Sequence, residues 1–281
     1  MDALTKPHFP SLEAASPFEL RGNWGWRVSD ADIRRGLATG DIGFLHSFTT
    51  GSTVDGPGLR VVAWTMGCQF RCLYCHNPDT WNMSHGIPVT LIRAIEELRK
   101  YRRGLKVMSG GFTLSGGEPL MQDRFAIRLF RAARDMGIHT ALDTNGSLGS
   151  RLHEVDLQAI DLVLLDIKCW NPELHQRLTG SDITPVLGFA RRLARNRRPV
   201  WLRFVLVPTL TDNPDDIAKL AEFAAGLGVV ERVDILPFHQ LGQFKWNELK
   251  LSYTLTQVQP PTPDNVAAAR ATFHAYGLKA F

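Results

Sequence analysis

The chain has 281 residues, 44% of them hydrophobic, enough to bury a full core, and 32 Lys and Arg against 28 Asp and Glu give a formal charge of +4. That balance is too mild to point to nucleic acid or another strongly acidic partner. No run reaches the ~18 apolar residues of a membrane span and the first residues lack the apolar centre of a secretory signal, so a cytoplasmic protein with no membrane partner is expected.

Residues 1–43 read as an N-terminal extension punctuated by Pro7, Pro10 and Pro17. A short helix is expected over Asp30–Ala38, with Ser29 as N-cap and Gly40 just past its end, and Trp24 and Trp26 should tuck against the body. From residue 44 to 281 the pattern is regular. Strand-like runs at Arg60–Thr65, Gly111–Ser115, Ile138–Leu142, Asp161–Ile167, Val200–Val207 and Arg232–Pro237 alternate with helical stretches. The helices are expected at Thr90–Arg102, Gln122–Met136, Arg151–Ala159, Thr184–Asn196, Pro214–Gly226 and Asp264–Tyr276. Six strand-then-helix units define an α/β fold with a parallel sheet, two units short of a closed (βα)8 barrel, so a partial (βα)6 TIM-like barrel is expected. In such folds reactive groups collect at the C-terminal ends of the strands.

Cys68, Cys72 and Cys75 lie within eight residues at a C-x3-C-x2-C spacing. Three cysteines with Cys169 left over do not make a disulfide framework; Cys169 reads as a small buried residue. Three thiolates leave a metal site incomplete. A zinc knuckle would need a fourth ligand such as His76, whereas a 4Fe-4S cluster on three cysteines keeps one iron open to a small molecule that offers an amine and a carboxylate. Ser115-Gly116-Gly117-Glu118-Pro119 is a turn by composition, and also a place where backbone can approach a ligand without side-chain interference. Asp166 and Lys168 should share one face of a strand, as an ordinary ion pair or as partners for a zwitterion. Asp143-Thr144-Asn145-Gly146 reads as an Asx-type turn whose oxygens also suit a hard cation. His239 has no partner in sequence, and Val54-Asp55-Gly56-Pro57-Gly58-Leu59-Arg60 is a turn.

The cysteine spacing with Tyr74 before the last thiol, followed about forty residues on by Gly116-Gly117-Glu118-Pro119, resembles the signature of the radical S-adenosylmethionine enzymes. The stretches His46–Phe48, Thr53–Arg60, Cys68–Trp81, Leu142–Gly146 and Leu236–Gly242 extend the likeness to the glycyl radical enzyme activating family, the pyruvate formate-lyase activating enzymes, from His46 to Phe281. The resemblance implies an oxidoreductase in which Cys68, Cys72 and Cys75 hold one 4Fe-4S cluster and the open iron chelates S-adenosylmethionine. Tyr74, Cys75, His76, Gly117, Asp166, Ile167, Lys168 and His239 would contact that cofactor, Gly117 through its methionine amino group. Asp143, Thr144 and the backbone of Leu164 would match a monovalent cation site, and Asp55 would receive the glycine loop of the substrate protein. Flavodoxin or ferredoxin would reduce the cluster of a monomeric protein. Cleavage of the sulfonium would give methionine and a 5'-deoxyadenosyl radical, which would leave a glycyl radical on pyruvate formate-lyase. An activator of a keto acid formate-lyase or diol dehydratase is the alternative within the family, and a zinc-binding regulatory module the alternative outside it. The basic group Arg191, Arg192, Arg195, Arg197 and Arg198 reads as a solvated face or a docking surface. Only Cys169 is left over, so the ferredoxin-like insertion of other activators is absent.

Overall fold

The computed structural model describes residues 30–281. The chain runs through α1 (Asp30–Thr39), β1 (Ile42–Ser52), β2 (Arg60–Thr65), β3 (Ile87–Thr90), α2 (Leu91–Val107), β4 (Gly111–Gly116), α3 (Asp123–Asp135), β5 (His139–Thr144), α4 (Glu154–Leu157), β6 (Leu162–Asp166), α5 (Pro172–Thr179), α6 (Thr184–Arg195), β7 (Val200–Leu206), α7 (Pro214–Leu227), β8 (Val230–Pro237), α8 (Gln243–Glu248) and α9 (Pro263–Ala275). The eight strands form one sheet ordered β3-β1-β2-β4-β5-β6-β7-β8. From β2 to β8 every neighbour is parallel, while β1 pairs antiparallel with both β2 and β3. The six expected strands thus build an open, mostly parallel sheet of the partial-barrel type.

Strands alternate between two apolar environments. Leu142, Val163, Leu165, Val200, Leu202 and Phe204 join the main core under the helices. Ala141, Leu162, Leu164 and partly buried Trp201, on the opposite pleat, form a small separate cluster on the concave face. The same concave pleat carries Asp143, Asp166 and Arg203. Polar residues therefore sit on a bed of apolar ones.

Helix starts follow local chemistry. Asn213 accepts the amides of Asp215 and Asp216, with Pro214 at the first helical position of α7. Gly40 closes α1 at φ 77°, a left-handed conformation that glycine adopts at no steric cost. Ser29, Trp24 and Trp26 lie outside the described residues. The expected helix at 151–159 is a correction: Leu152 and His153 are extended (ψ 133° and 164°), leaving a 3-10 turn at Gly149–Arg151 and the single turn α4. The strands β1 and β3 and the helices α5 and α8 were not expected. Strand β1 begins at Ile42, two residues before the regular pattern was read to start.

The basic group on and just after α6 is solvated in part: Arg191, Arg195 and Arg197 are exposed, while Arg192 and Arg198 are half-buried. Arg192 donates to Glu154 and to the carbonyls of Gly149 and Leu152, Arg198 donates to the carbonyl of Asn196, and Arg191 stacks on Phe223.

Candidate active site

A cavity of about 480 Å³ opens at the C-terminal ends of the parallel strands. That is the size of a small-molecule site. Cys68, Cys72, Tyr74, Cys75 and His76 line it from the loop after β2, Gly116 and Gly117 from the end of β4, and Asp143, Thr144 and Asn145 from β5. Asp166 and Lys168 come from β6, Arg203 from β7 and His239 from the loop after β8. Asp55 reaches the same cavity from the other direction, since its loop joins antiparallel β1 to the start of β2.

Two of the expected residues, Ile167 and Leu164, do not line the cavity with their side chains. The Ile167 side chain is 1% exposed and belongs to the main core, so only its backbone is available at the strand end. The Leu164 side chain lies in the concave apolar cluster, where Leu164 is the strand partner of Asp143.

Cys72 is buried, and Cys68 and Cys75 are half-buried. Burial pushes Cys68 and Cys75 up and takes Cys72 up to about 12, and Lys168 is the cation that opposes the rise at Cys72 and Cys75. Such thiols ionise when a metal cation replaces the proton. Among the described residues no three His, Cys, Asp or Glu side chains converge on a point where one ion could sit. A 4Fe-4S cluster takes each of three cysteines on a separate iron, a donor set that the three thiols on this cavity wall can supply.

Around the thiols the polar groups are paired. Lys168 Nζ is 2.8 Å from Asp166 Oδ2; burial works against its charge, but Asp166 more than offsets this and holds its pKa above the ordinary lysine range. Arg203 donates to Asp143 Oδ2 at 2.9 Å and lies 3.8 Å from Asp55 Oδ1, while the Ser115 hydroxyl donates to the same Asp143 oxygen at 2.6 Å. Burial raises Asp143, and the charge of Arg203 opposes it. Below them Arg60, wholly buried, donates to Thr113 Oγ1 and the Phe112 carbonyl and closes the lower end of the concave face. Among the described residues three buried polar atoms have no partner: the Tyr74 hydroxyl, Gln69 Oε1 and His175 Nε2. An orphaned phenol on a residue that lines the cavity is a ready contact for a ligand.

The Gly-Gly turn is needed sterically. Gly116 has φ 119°, and a Cβ on Gly117 would stand 2.3 Å from the Gly67 carbonyl oxygen and 3.2 Å from Cys68 Cβ. Backbone therefore passes directly against the first cysteine. The next residue, Glu118, fixes the turn to β5: its carboxylate accepts the Thr144 hydroxyl at 2.8 and 2.9 Å and the amides of Leu120 and Asn145 at 2.9 Å each.

Burial raises Glu118 from an ordinary 4.5 to about 7. A carboxyl raised on folding contributes stability that is whole below pH 4.5 and lost as pH climbs through about 7, on the order of 3 kcal/mol. In urea unfolding of the metal-free protein, Glu118→Gln is expected to flatten the decline between pH 4.5 and 7.5. Identical slopes for the two proteins would acquit Glu118.

Sequence reasoning missed Arg203, which lines the cavity, and Glu118 and Gln69, which support it from behind. Arg203 had a signal, a lone cation amid the alternating apolar residues of β7. Gln69, whose Nε2 donates to Asn145 Oδ1 at 3.1 Å, had none.

Comparison with known proteins gives the class first. The Radical SAM superfamily matches residues 62–224, so fold and site together define a radical S-adenosylmethionine enzyme. The chain is 46% identical over 234 residues to the pyruvate formate-lyase-activating enzyme of Staphylococcus aureus (strain USA300), covering 81% of this chain and 93% of that one. It belongs to the pyruvate formate-lyase-activating enzyme family, oxidoreductases of the activating type. Among solved structures, a domain of pyruvate-formate lyase-activating enzyme from Bacteroides vulgatus ATCC 8482 aligns with TM-score 0.51 at 26% identity, over 61% of this chain and 98% of that one. Streptococcus suis SuiB bound to precursor peptide SuiA aligns with TM-score 0.60 at 14% identity, over 78% and 47%, a likeness of fold alone. Membership implies a 4Fe-4S cluster and S-adenosylmethionine. No helix among the described residues is long and apolar enough to cross a membrane.

Proposed function

We propose that this chain generates a glycyl radical on pyruvate formate-lyase. The observation that carries the reading is that one cavity is lined by three thiols, an Asp166–Lys168 pair and the Gly117 backbone, with Asp55 and Arg203 at its other end. Cys68, Cys72 and Cys75 would hold the 4Fe-4S cluster. When bound, that cluster would supply the one-electron chemistry that cleaves the S-adenosylmethionine sulfonium, releases methionine and allows a hydrogen to be taken from a glycine α-carbon.

The protein's own work is orientation and exclusion of water. Lys168 would face the cofactor carboxylate, and Gly117 would offer backbone to the amino group. Tyr74, His76 and His239, the two imidazoles edge to face at 5.1 Å, would border the nucleoside, and the backbone of Ile167 would complete that side. Asp143, Thr144 and the Leu164 carbonyl would take a monovalent cation, and Asp55, 5% exposed and held by Arg203, would meet the glycine loop. The reading extends to a radical S-adenosylmethionine domain over 44–281 with 1–43 as an extension, in a cytoplasmic monomer reduced by flavodoxin or ferredoxin.

The test is electron paramagnetic resonance on pyruvate formate-lyase incubated without oxygen with the reconstituted protein, reductant and S-adenosylmethionine. A glycyl radical doublet is expected. An intact cluster that yields no doublet would overturn the named partner. Lys168→Ala should weaken S-adenosylmethionine binding tenfold or more while the iron content stays normal, because a charge-assisted contact is lost from a dry site. Unchanged affinity in equilibrium dialysis would remove Lys168 from the cofactor site.

A further inference from the structure

The cysteine loop is held by two separate elements, one for each half. In the first half, the amides of Arg71 and Leu73 donate to the carbonyls of Thr179 and Leu178 at the end of α5. The second half, residues 75–79, is gripped by α8. Trp246 Nε1 donates to the Cys75 carbonyl at 2.9 Å, and Lys245 Nζ donates to Asn77 Oδ1 at 2.9 Å and to Asp79 at 2.9 and 3.2 Å. His46 of β1 meets the same Asp79 carboxylate at 3.0 Å. The Trp246 ring, 6% exposed, stacks edge to face on Trp81 at 5.2 Å and leans on Tyr253 at 5.3 Å. A Cβ on Gly242, just before α8, would stand 2.7 Å from the His76 carbonyl oxygen, so the helix enters in direct contact with the loop backbone.

We propose that Lys245 and Trp246 are positioning residues that fix the Cys75–Asp79 segment, and so set the third cysteine and His76 with respect to the cavity. Cys72 is held from the other side, by the Arg71 and Leu73 amides bonded to α5. The inference deepens the functional reading above and rests on it for the identity of the bound group. The grip itself is a property of the polypeptide and can be measured without metal.

The experiment uses the full chain with Trp246→Phe, which keeps the ring and removes the donor, together with Lys245→Ala and Lys245→Arg. Hydrogen exchange is followed in the metal-free protein at the Cys75, Thr80 and Trp81 amides, whose acceptors are the Cys72, Asn77 and Pro78 carbonyls inside the loop. Loss of one grip should speed exchange there about fivefold while Arg71 and Leu73 exchange as before. Iron loss from the reconstituted protein to a ferrous chelator should quicken several-fold in Trp246→Phe and Lys245→Ala, and Lys245→Arg should restore the parent rate. Unchanged exchange at Cys75, Thr80 and Trp81 would overturn the proposal. So would an equal rise at Arg71 and Leu73, which would make α8 a general support. A parent protein that takes up no iron would defeat the functional reading, and the exchange data would still decide whether α8 holds the loop.

Discussion

Cys72→Ala is expected to fold like the parent, assemble no 4Fe-4S cluster, and cleave S-adenosylmethionine at least a thousandfold more slowly. Cys72 is buried, and alanine is small and apolar, so the polypeptide loses about 1 kcal/mol of packing. The metal site loses far more. With only three thiols in the cavity, removing one leaves two anchors for the cluster, and a cluster that depends on three thiolate bonds is not retained. Circular dichroism should show the parent melting profile to within a few degrees, while iron content and the reduced-cluster paramagnetic signal vanish. A mutant that carried a full cubane and formed 5'-deoxyadenosine at the parent rate would sink the assignment of the cysteine loop.

Arg203→Met is expected to cost about 3–5 kcal/mol of stability, as breaking a buried ion pair from one side does. The side chain is 17% exposed, and its guanidinium stands between Asp143 at 2.9 Å and Asp55 at 3.8 Å. Methionine fills comparable volume but leaves two carboxylates dry and without their cation. Asp143 will then hold its proton at higher pH than in the parent, because burial already raises it even beside Arg203. The deficit should therefore be largest near neutral pH and shrink as acid neutralises Asp143. Urea titrations of parent and variant at pH 7.5 and pH 5 measure this. A deficit below 1 kcal/mol at pH 7.5, or one that grows in acid, would refute the pairing.

The parts of the molecule legible in sequence are those whose meaning is local. The cysteine spacing, the Gly116-Gly117 turn and the Asp166–Lys168 pair each lie within a few residues, and the structure brings them to one cavity. Strand β2 occupies Arg60–Thr65, the limits its β-branched run implied. What could not be read depends on partners far along the chain or on strand direction. Strand β1 carries His, Ser and Thr along much of its length, since it lies outside the parallel core, and so lacks the apolar run that marks the other strands. Its antiparallel course brings Asp55 to the cavity from below, which no local pattern announces. Arg192 on α6 looked solvated because its acceptors, Glu154 and two loop carbonyls, are about forty residues away. Glu118 reads as part of a turn, and only the fold shows that it is the fastening between β4 and β5.

Trp246 and Cys75 are 171 residues apart, and their hydrogen bond has a consequence for how the protein is made. At about 5–20 residues per second, α8 leaves the ribosome roughly 10–35 s after the third cysteine does. Throughout that interval the nascent chain presents its thiols on a segment with one end unsecured. Iron delivered during synthesis would meet a half-built socket. The ordering of the fold therefore favours metal insertion into the released chain, with a helix that emerges long after the ligands completing the place where they wait.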